Sequence, residues 1–174
     1  MSFDKMIIVD NNQIKGYGSK IIDHFIGLSY SSNRQRFFNY RSEEILRDWV
    51  YSLTHHKSEI EHFWVLMFKD NEIISIGQLA LDKNYLGEIA ISVVDKFQEN
   101  GIGKITLEEL INLAKRHLVK TLVMSCYADN SKMVSLVSFY GFKLSHDHSE
   151  INGELDLSLE MNENETKSDR ERSA

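Results

Sequence analysis

Apolar residues recur along this chain at two periods, and the change from one to the other organises it. In KIIDHFIGLS, Ile21, Ile22, Phe25 and Ile26 stand at helical spacing. SEEILRDWVYSL opens with Ser42 and two acidic residues, which suit a helix N-terminus, and its Ile45, Leu46, Trp49 and Leu53 share one face. MIIVD, before them, reads as a short edge strand. YSSNRQRFFNY, between the two helices, is polar and aromatic without a period and reads as irregular. The period then shortens. HFWVLMFKDNEIISIGQLALD predicts two strands around a turn at Asp70-Asn71, and LGEIAISVVDKF predicts a third. Leu107, Leu110, Ile111 and Ala114 return to helical spacing. KTLVMSCYA is apolar throughout, as expected of a strand buried on both faces. DNSKMVSLVSFYGF predicts a short helix ended by Gly141. FKLSHDHSEINGELDLSLEM predicts two last strands around a turn at Asn152-Gly153.

The order is strand, two helices, three strands, helix, strand, helix, two strands. Only the strand–helix–strand unit of the second half needs a parallel crossover. The expected fold is therefore α/β, a mixed and mostly antiparallel sheet flanked by helices. With 174 residues the chain suits one domain, taken as residues 1–161. Residues 162–174, within NENETKSDRERSA, are charged and lack apolar anchors, so a disordered tail is expected.

Composition narrows the partners. A net charge of −6 argues against nucleic acid, whose phosphates demand a basic surface, and sits more easily with a cationic or neutral substrate. No apolar run approaches the roughly 20 residues that span a bilayer, and the opening MSFDKMIIVDNNQ lacks the unbroken apolar segment of a signal peptide. No membrane partner and a cytoplasmic location are expected. The single cysteine, Cys126, falls in an apolar strand and reads as a small buried side chain. His146-Asp147-His148 and His55-His56 come without a second ligand cluster at zinc-like spacing, so no metal is expected.

One loop carries candidate chemistry. QENGIGK, residues 98–104, joins a strand to a helix and holds two glycines, a combination that brings backbone N–H groups close to a phosphate. It lacks the spacing of a Walker loop, and Thr106 stands where a dinucleotide fingerprint needs its third glycine. A tight turn with no ligand remains the alternative.

Gln98-x-x-Gly101-x-Gly103 after a strand resembles the pyrophosphate loop of the GNAT superfamily of acetyltransferases. ISVVDKFQENGIGKITLEELINLAK is similar to that superfamily's strand, loop and helix. ADNSKMVSLVSFYGF resembles its later segment, with Asn130 ending a strand and Gly141-Phe142 closing a helix. Leu28-Ser29 and Arg36-Phe37-Phe38 resemble a segment of bacterial Pat-type protein lysine acetyltransferases. The resemblance implies a GNAT fold and acetyl-CoA as cosubstrate. It places backbone N–H groups of Gln98, Glu99, Asn100, Gly101, Ile102, Gly103 and Lys104 on the pyrophosphate. Ile91 and Val93 would pair with the pantetheine arm, and Asn130 would face it. Asn130 also reads as a plain helix cap.

Acetyl transfer needs an amine freed of its proton, a polarised thioester carbonyl and a protonated leaving thiolate. Glu88, on the strand EIAISVV, is the candidate base by resemblance, with partial burial expected to raise its pKa. A backbone N–H near Val93 is the candidate for the carbonyl. Many GNAT enzymes carry a tyrosine where this chain has Val137. Tyr140 and Tyr127 are the remaining candidate acids, both also readable as packing residues, and water is the alternative. The expected acceptor is a primary amine, a protein lysine or a small molecule, attacking the thioester directly in a monomer or homodimer. A non-catalytic acyl-CoA-binding module is the alternative function.

Overall fold

The computed structural model describes residues 2–55 and 60–158, so the expected tail and its boundary at 161 lie outside the described residues. In chain order come β1 (Lys5–Asp10), a single 3-10 turn (Ile14–Tyr17), α1 (Gly18–Ile26), α2 (Tyr30–Phe37) and α3 (Glu43–His55). Then follow β2 (Glu61–Lys69), β3 (Glu72–Leu81), β4 (Leu86–Val93), a 3-10 turn (Asp95–Phe97) and α4 (Ile102–Arg116). β5 (Thr121–Tyr127), α5 (Ser131–Phe139), β6 (Lys143–Asp147) and β7 (Glu150–Asp156) complete the described chain. The strands form one sheet in the order β1-β2-β3-β4-β5-β7-β6. Every neighbour pair is antiparallel except β4 and β5, which α4 connects.

Alternation along the strands splits the core into two layers. Trp64, Leu66 and Phe68 of β2 pack with Ile21 and Phe25 of α1 and Leu46 and Val50 of α3. Val65 of β2 and Leu79 of β3 face the other way, onto Leu107, Leu110 and Ala114 of α4 and Val137 of α5. The expected mixed sheet with helices on both faces is thus the observed one. Asp70 and Asn71 both take positive φ between Lys69 and Glu72, the conformation a two-residue hairpin turn needs.

Four local readings need correction. YSSNRQRFFNY holds α2, which the absence of an apolar period concealed. Polar contacts from elsewhere hold this helix. The Ser29 hydroxyl caps it by accepting from Ser32 N–H at 3.2 Å. The Asp95 carboxylate accepts from Ser29 N–H, the Ser29 hydroxyl and the Ser32 hydroxyl at 3.0, 2.6 and 2.8 Å. Secondly, Asn152-Gly153 is no turn. Both residues lie inside β7, and the hairpin turns at His148-Ser149, with His148 at positive φ. Gly153 serves close packing, since a Cβ there would stand 2.9 Å from the Met124 sulfur and 3.1 Å from Leu144. Thirdly, β5 buries Leu122, Met124 and Cys126 on one face only, and Ser125 on the other is exposed. Lastly, Ile26 and Ile45 are exposed, and His24 and Val50 take the buried positions of their helices.

Candidate active site

The parallel junction in the middle of the sheet is short. β4 meets β5 only at Leu86–Thr121, Gly87–Leu122 and Glu88–Val123, and beyond Glu88 the two strands part. Val94 N–H bonds the Ile74 carbonyl on β3 at 3.0 Å. Strand alternation therefore turns the backbone groups of Val93 and Ile91 to the opposite edge, the one β5 has left. A cavity of about 320 Å³ fills the gap. Ile89 and Ile91 line it from β4, Cys126 from β5, and Met133 and Leu136 from α5, so its walls are largely apolar.

QENGIGK closes the wide end of this gap. Gln98 is extended, Glu99 has φ 60° and Gly101 φ 78°, a backbone in which successive N–H groups converge. The first intrahelical bond of α4 runs from Ile105 N–H to the Gly101 carbonyl, which leaves the N–H groups of Ile102, Gly103 and Lys104 without helical partners. A Cβ on Gly101 would meet nothing within 4 Å, and one on Gly103 would come no nearer than 3.8 Å to Leu136 and Val93. This is a cradle of N–H donors beside open space, and it fits a pyrophosphate. The Gln98 amide is committed within the protein. Its Nε2 donates to Val93 O and the Ser32 hydroxyl at 3.0 and 3.1 Å, and its Oε1 accepts from Lys132 Nζ at 3.1 Å. Lys132 also pairs with Glu99 at 2.7 Å, and that bond holds the Glu99 carboxyl below its ordinary range.

The other face of the gap belongs to α1 and α2. Ser92 reaches His24 of α1 there, so Ala90 and Glu88 point the same way. Arg36 of α2 lines the cavity, and its Nη2 donates to Gln78 Oε1 at 2.9 Å. Gln78 Nε2 lies 3.1 Å from His62 Nδ1, which accepts the bond. Burial lowers the His62 pKa, in keeping with a neutral ring. Burial draws Arg36 down from the ordinary guanidinium range to about 10; Glu88 opposes that shift and Arg41 adds to it. His24 is neutral as well, since burial takes it from 6.5 to about 4. A carbonyl only accepts, so Nδ1–H donates to Ile73 O at 2.9 Å, and Ser92 donates its hydroxyl to Nε2 at 2.8 Å.

A strand edge left open for pairing thus ends at a cradle of N–H donors, and comparison with known proteins identifies the family. The sequence model of the acetyltransferase (GNAT) family matches residues 26–142. The chain belongs to the GNAT family of acetyltransferases. No curated protein sequence matches it. Among solved structures, it is similar to the GNAT domain of S. lividans PAT, with a TM-score of 0.72 and 17% identity over 86% of this chain and 89% of that one. PaiA N-acetyltransferase from Thermoplasma acidophilum, in complex with coenzyme A, gives 0.64 and 17% over 88% and 99%. An acetyl transferase from Salmonella typhimurium that modifies the N-terminal serine of ribosomal protein L7/L12 gives 0.66 and 18% over 87% and 95%. At these identities the likeness is one of fold.

Within the GNAT fold most of the expected cosubstrate residues come together. Ile91, Val93, Gln98, Glu99, Gly101, Gly103, Lys104 and Asn130 line the cavity. Asn130 also caps α5, its Oδ1 accepting from Met133 N–H at 3.2 Å. Asn100 and Ile102 do not line the cavity. The Asn100 side chain turns back to Gln98 O at 2.8 Å, and the Ile102 side chain is buried with Met67, Ile74 and Phe97. Only their backbone can serve the cradle. Glu88 lies outside the lining, at the last paired position before the strands part. Its side chain is exposed, so the expected partial burial is missing.

Neither tyrosine stands ready as an acid. Tyr127 donates its hydroxyl to Phe38 O, and burial, followed by nearby Glu108, pushes Tyr140 well up. Cys126 is a lining thiol, pushed up by burial and then by Asp129. His55 stacks on Tyr51, and His148 bonds Asp147 at 2.6 Å. His56 lies outside the described residues. Among the described residues no three His, Cys, Asp or Glu side chains gather as a metal site, and no helix is long and apolar enough to cross a membrane. Sequence reasoning passed over Gln78 and His62, which fall in no motif, and Lys132, which sits in the segment after Asn130 without a role assigned to it.

Proposed function

We propose that this chain is an acetyl-CoA-dependent N-acetyltransferase that moves the acetyl group to a primary amine, of a protein lysine or a small molecule, by direct attack on the thioester. The observation that carries this reading is the parting of β4 from β5 after Glu88, with the Ile91 and Val93 backbone turned into the gap and the glycine cradle at its end. Acetyl-CoA supplies the acyl group as an activated thioester. The N–H groups of Gly103 and Lys104 hold its pyrophosphate, with Lys104 adding charge. Val93 N–H polarises the acyl carbonyl from the open edge. Met133, Leu136 and Cys126 give the acyl arm an apolar wall. Glu88 takes the amine proton at its carboxylate, directly or through one water, from the α2 side of the gap. With Val137 in place of a tyrosine, water returns a proton to the leaving sulfur.

Calorimetric titration with acetyl-CoA and with CoA tests the binding half. Micromolar affinity is expected, about −8 kcal/mol, and no heat at millimolar ligand overturns the reading. Glu88→Gln tests the catalytic half. It is expected to keep acetyl-CoA binding and to slow amine-dependent release of free CoA by roughly 10²- to 10⁴-fold. The exposed place of Glu88, outside the cavity lining, favours a second reading, an acyl-CoA-binding module without turnover. Binding with no CoA release for any amine establishes that one instead. The Pat-type kinship rests on Leu28-Ser29 and Arg36-Phe37-Phe38 and takes support from the likeness to the S. lividans domain.

A further inference from the structure

Arg36 is a half-buried cation, its Nε buried and its guanidinium facing the cavity, with no carboxylate on it. A guanidinium removed from water is normally matched by an acid, because an uncompensated buried charge is costly. Among the described residues no Asp or Glu lies within ion-pair distance of Arg36. Its Nη2 goes to the neutral Gln78 amide, and its Nε is buried without a partner. The group is nonetheless held firmly. Gln78 is fixed in turn by His62, and the guanidinium lies 5.0 Å from the centre of the Phe37 ring. A second guanidinium, of Arg41, lies over that ring at 5.2 Å. Glu88, on the same face, is the carboxylate whose charge Arg36 feels, from beyond ion-pair distance. This corner of a chain of net charge −6 is thus locally cationic. The cation also fronts the reaction space, because Arg36 lines the cavity from the α2 side while the glycine cradle lines it from the α4 side.

We propose that the acceptor is a small primary amine that carries a carboxylate, and that Arg36 is the subsite for that carboxylate. This rests on the acetyltransferase reading and narrows its acceptor. The planar fork of a guanidinium matches a carboxylate, and Nη1 with the second Nη2 hydrogen are the donors left for it. Binding there directs the amine toward Glu88 and the β4 edge, which lie on the same face. A lysine side chain in a peptide has no carboxylate at that place and leaves Arg36 unmatched.

The test uses the full chain and matched amines that differ only in the carboxylate, β-alanine against ethylamine and free lysine against cadaverine, with an acetylatable lysine peptide as a third class. Release of free CoA from acetyl-CoA is followed, and binding of each amine to the CoA-loaded protein is measured by calorimetry. The carboxylate-bearing member of each pair is expected to be preferred roughly ten- to hundredfold in kcat/KM, chiefly through KM. In Arg36→Lys, which keeps the charge and loses the fork, and in Arg36→Met, the ratio within each pair is expected to collapse toward one. A urea unfolding midpoint for each variant identifies any that fails to fold, and the wild-type ratios stand without the variants. Equal kcat/KM within the pairs, or preference for the peptide, overturns the subsite and leaves the acetyltransferase intact. Arg36-dependent binding of β-alanine or lysine without CoA release supports the subsite and overturns the transferase. Neither binding nor turnover overturns both.

Discussion

His24 is a titratable side chain placed where it cannot afford a charge. Burial holds its pKa near 4 against an ordinary 6.5, with the Ile73 carbonyl working the other way and Arg36 adding to the depression. The unfolded chain therefore binds a proton on His24 that the folded chain refuses between those two values. This contribution to stability is complete above pH 6.5, falls as pH drops, and is about 2 kcal/mol smaller by pH 5. Asp95 works in a different window. Burial disfavours its charge, the hydrogen bonds from Ser29 and Ser32 outweigh burial, and its carboxyl is held low, so its contribution is lost only below about pH 4. Urea unfolding midpoints at pH 7.5 and pH 5 separate the two groups. His24→Gln is expected to be less stable at pH 7.5 and to lose less than the wild type on acidification. Equal losses remove His24 as the source. At this scale the site was partly legible. Gly101, Gly103 and Glu88 stand in a motif, and so do Arg36 and Lys132, but the roles of Arg36, Gln78 and Lys132 come from partners 42, 16 and 34 residues away, which no local pattern records.

The glycine loop and the first turn of α4 act as one element, and Gly101 separates its structural role from its binding role. Its φ of 78° is left-handed, so an alanine there is strained by about 1 kcal/mol. Its Cβ would strike nothing within 4 Å, and Gly101 lines the cavity, so the added methyl takes up space beside the cradle. Gly101→Ala is thus expected to fold with a modest drop in urea midpoint and to bind acetyl-CoA roughly tenfold more weakly or worse by calorimetry. A large loss of stability with binding retained removes the loop from the site. Gly153 is the opposite case, a glycine whose missing Cβ makes room for Met124 and Leu144. From the sequence, Asn-Gly reads the same whether it turns a hairpin or thins a strand, and cross-strand packing decided between them. α2 was missed for a related reason. It has no apolar stripe and is held by Asp95 and by its Ser29 cap. α4, with Leu107, Leu110, Ile111 and Ala114 on one face, needed no such help and was legible.

At the scale of the molecule, the one sheet has two halves joined at a narrow seam. The three parallel pairs from Leu86 to Glu88 carry the joint, and past them the halves are tied by side chains, such as Tyr127 to Phe38, Arg34 to Asp129 and Lys132 to Gln98. The strand order and the one crossover were readable from the alternation of periods, whereas the length of the seam was not, because nothing in the apolar run of β5 says where pairing stops. A ligand in the gap touches both halves, with β4 and the loop on one side and Cys126, Asn130 and Met133 on the other. Binding only the folded, correctly parted sheet, it must stabilise the whole domain by mass action. Acetyl-CoA at about 100 times its dissociation constant adds about 2.7 kcal/mol. For a domain of this size that corresponds to a rise in melting temperature of roughly 5–11 °C. Differential scanning calorimetry checks it. CoA is expected to give most of the shift, because the cradle and the β4 edge contact parts the two ligands share. In Gly101→Ala the shift is expected to shrink at the same ligand concentration. No shift with either ligand at millimolar concentration means that the gap is not where a coenzyme A moiety binds.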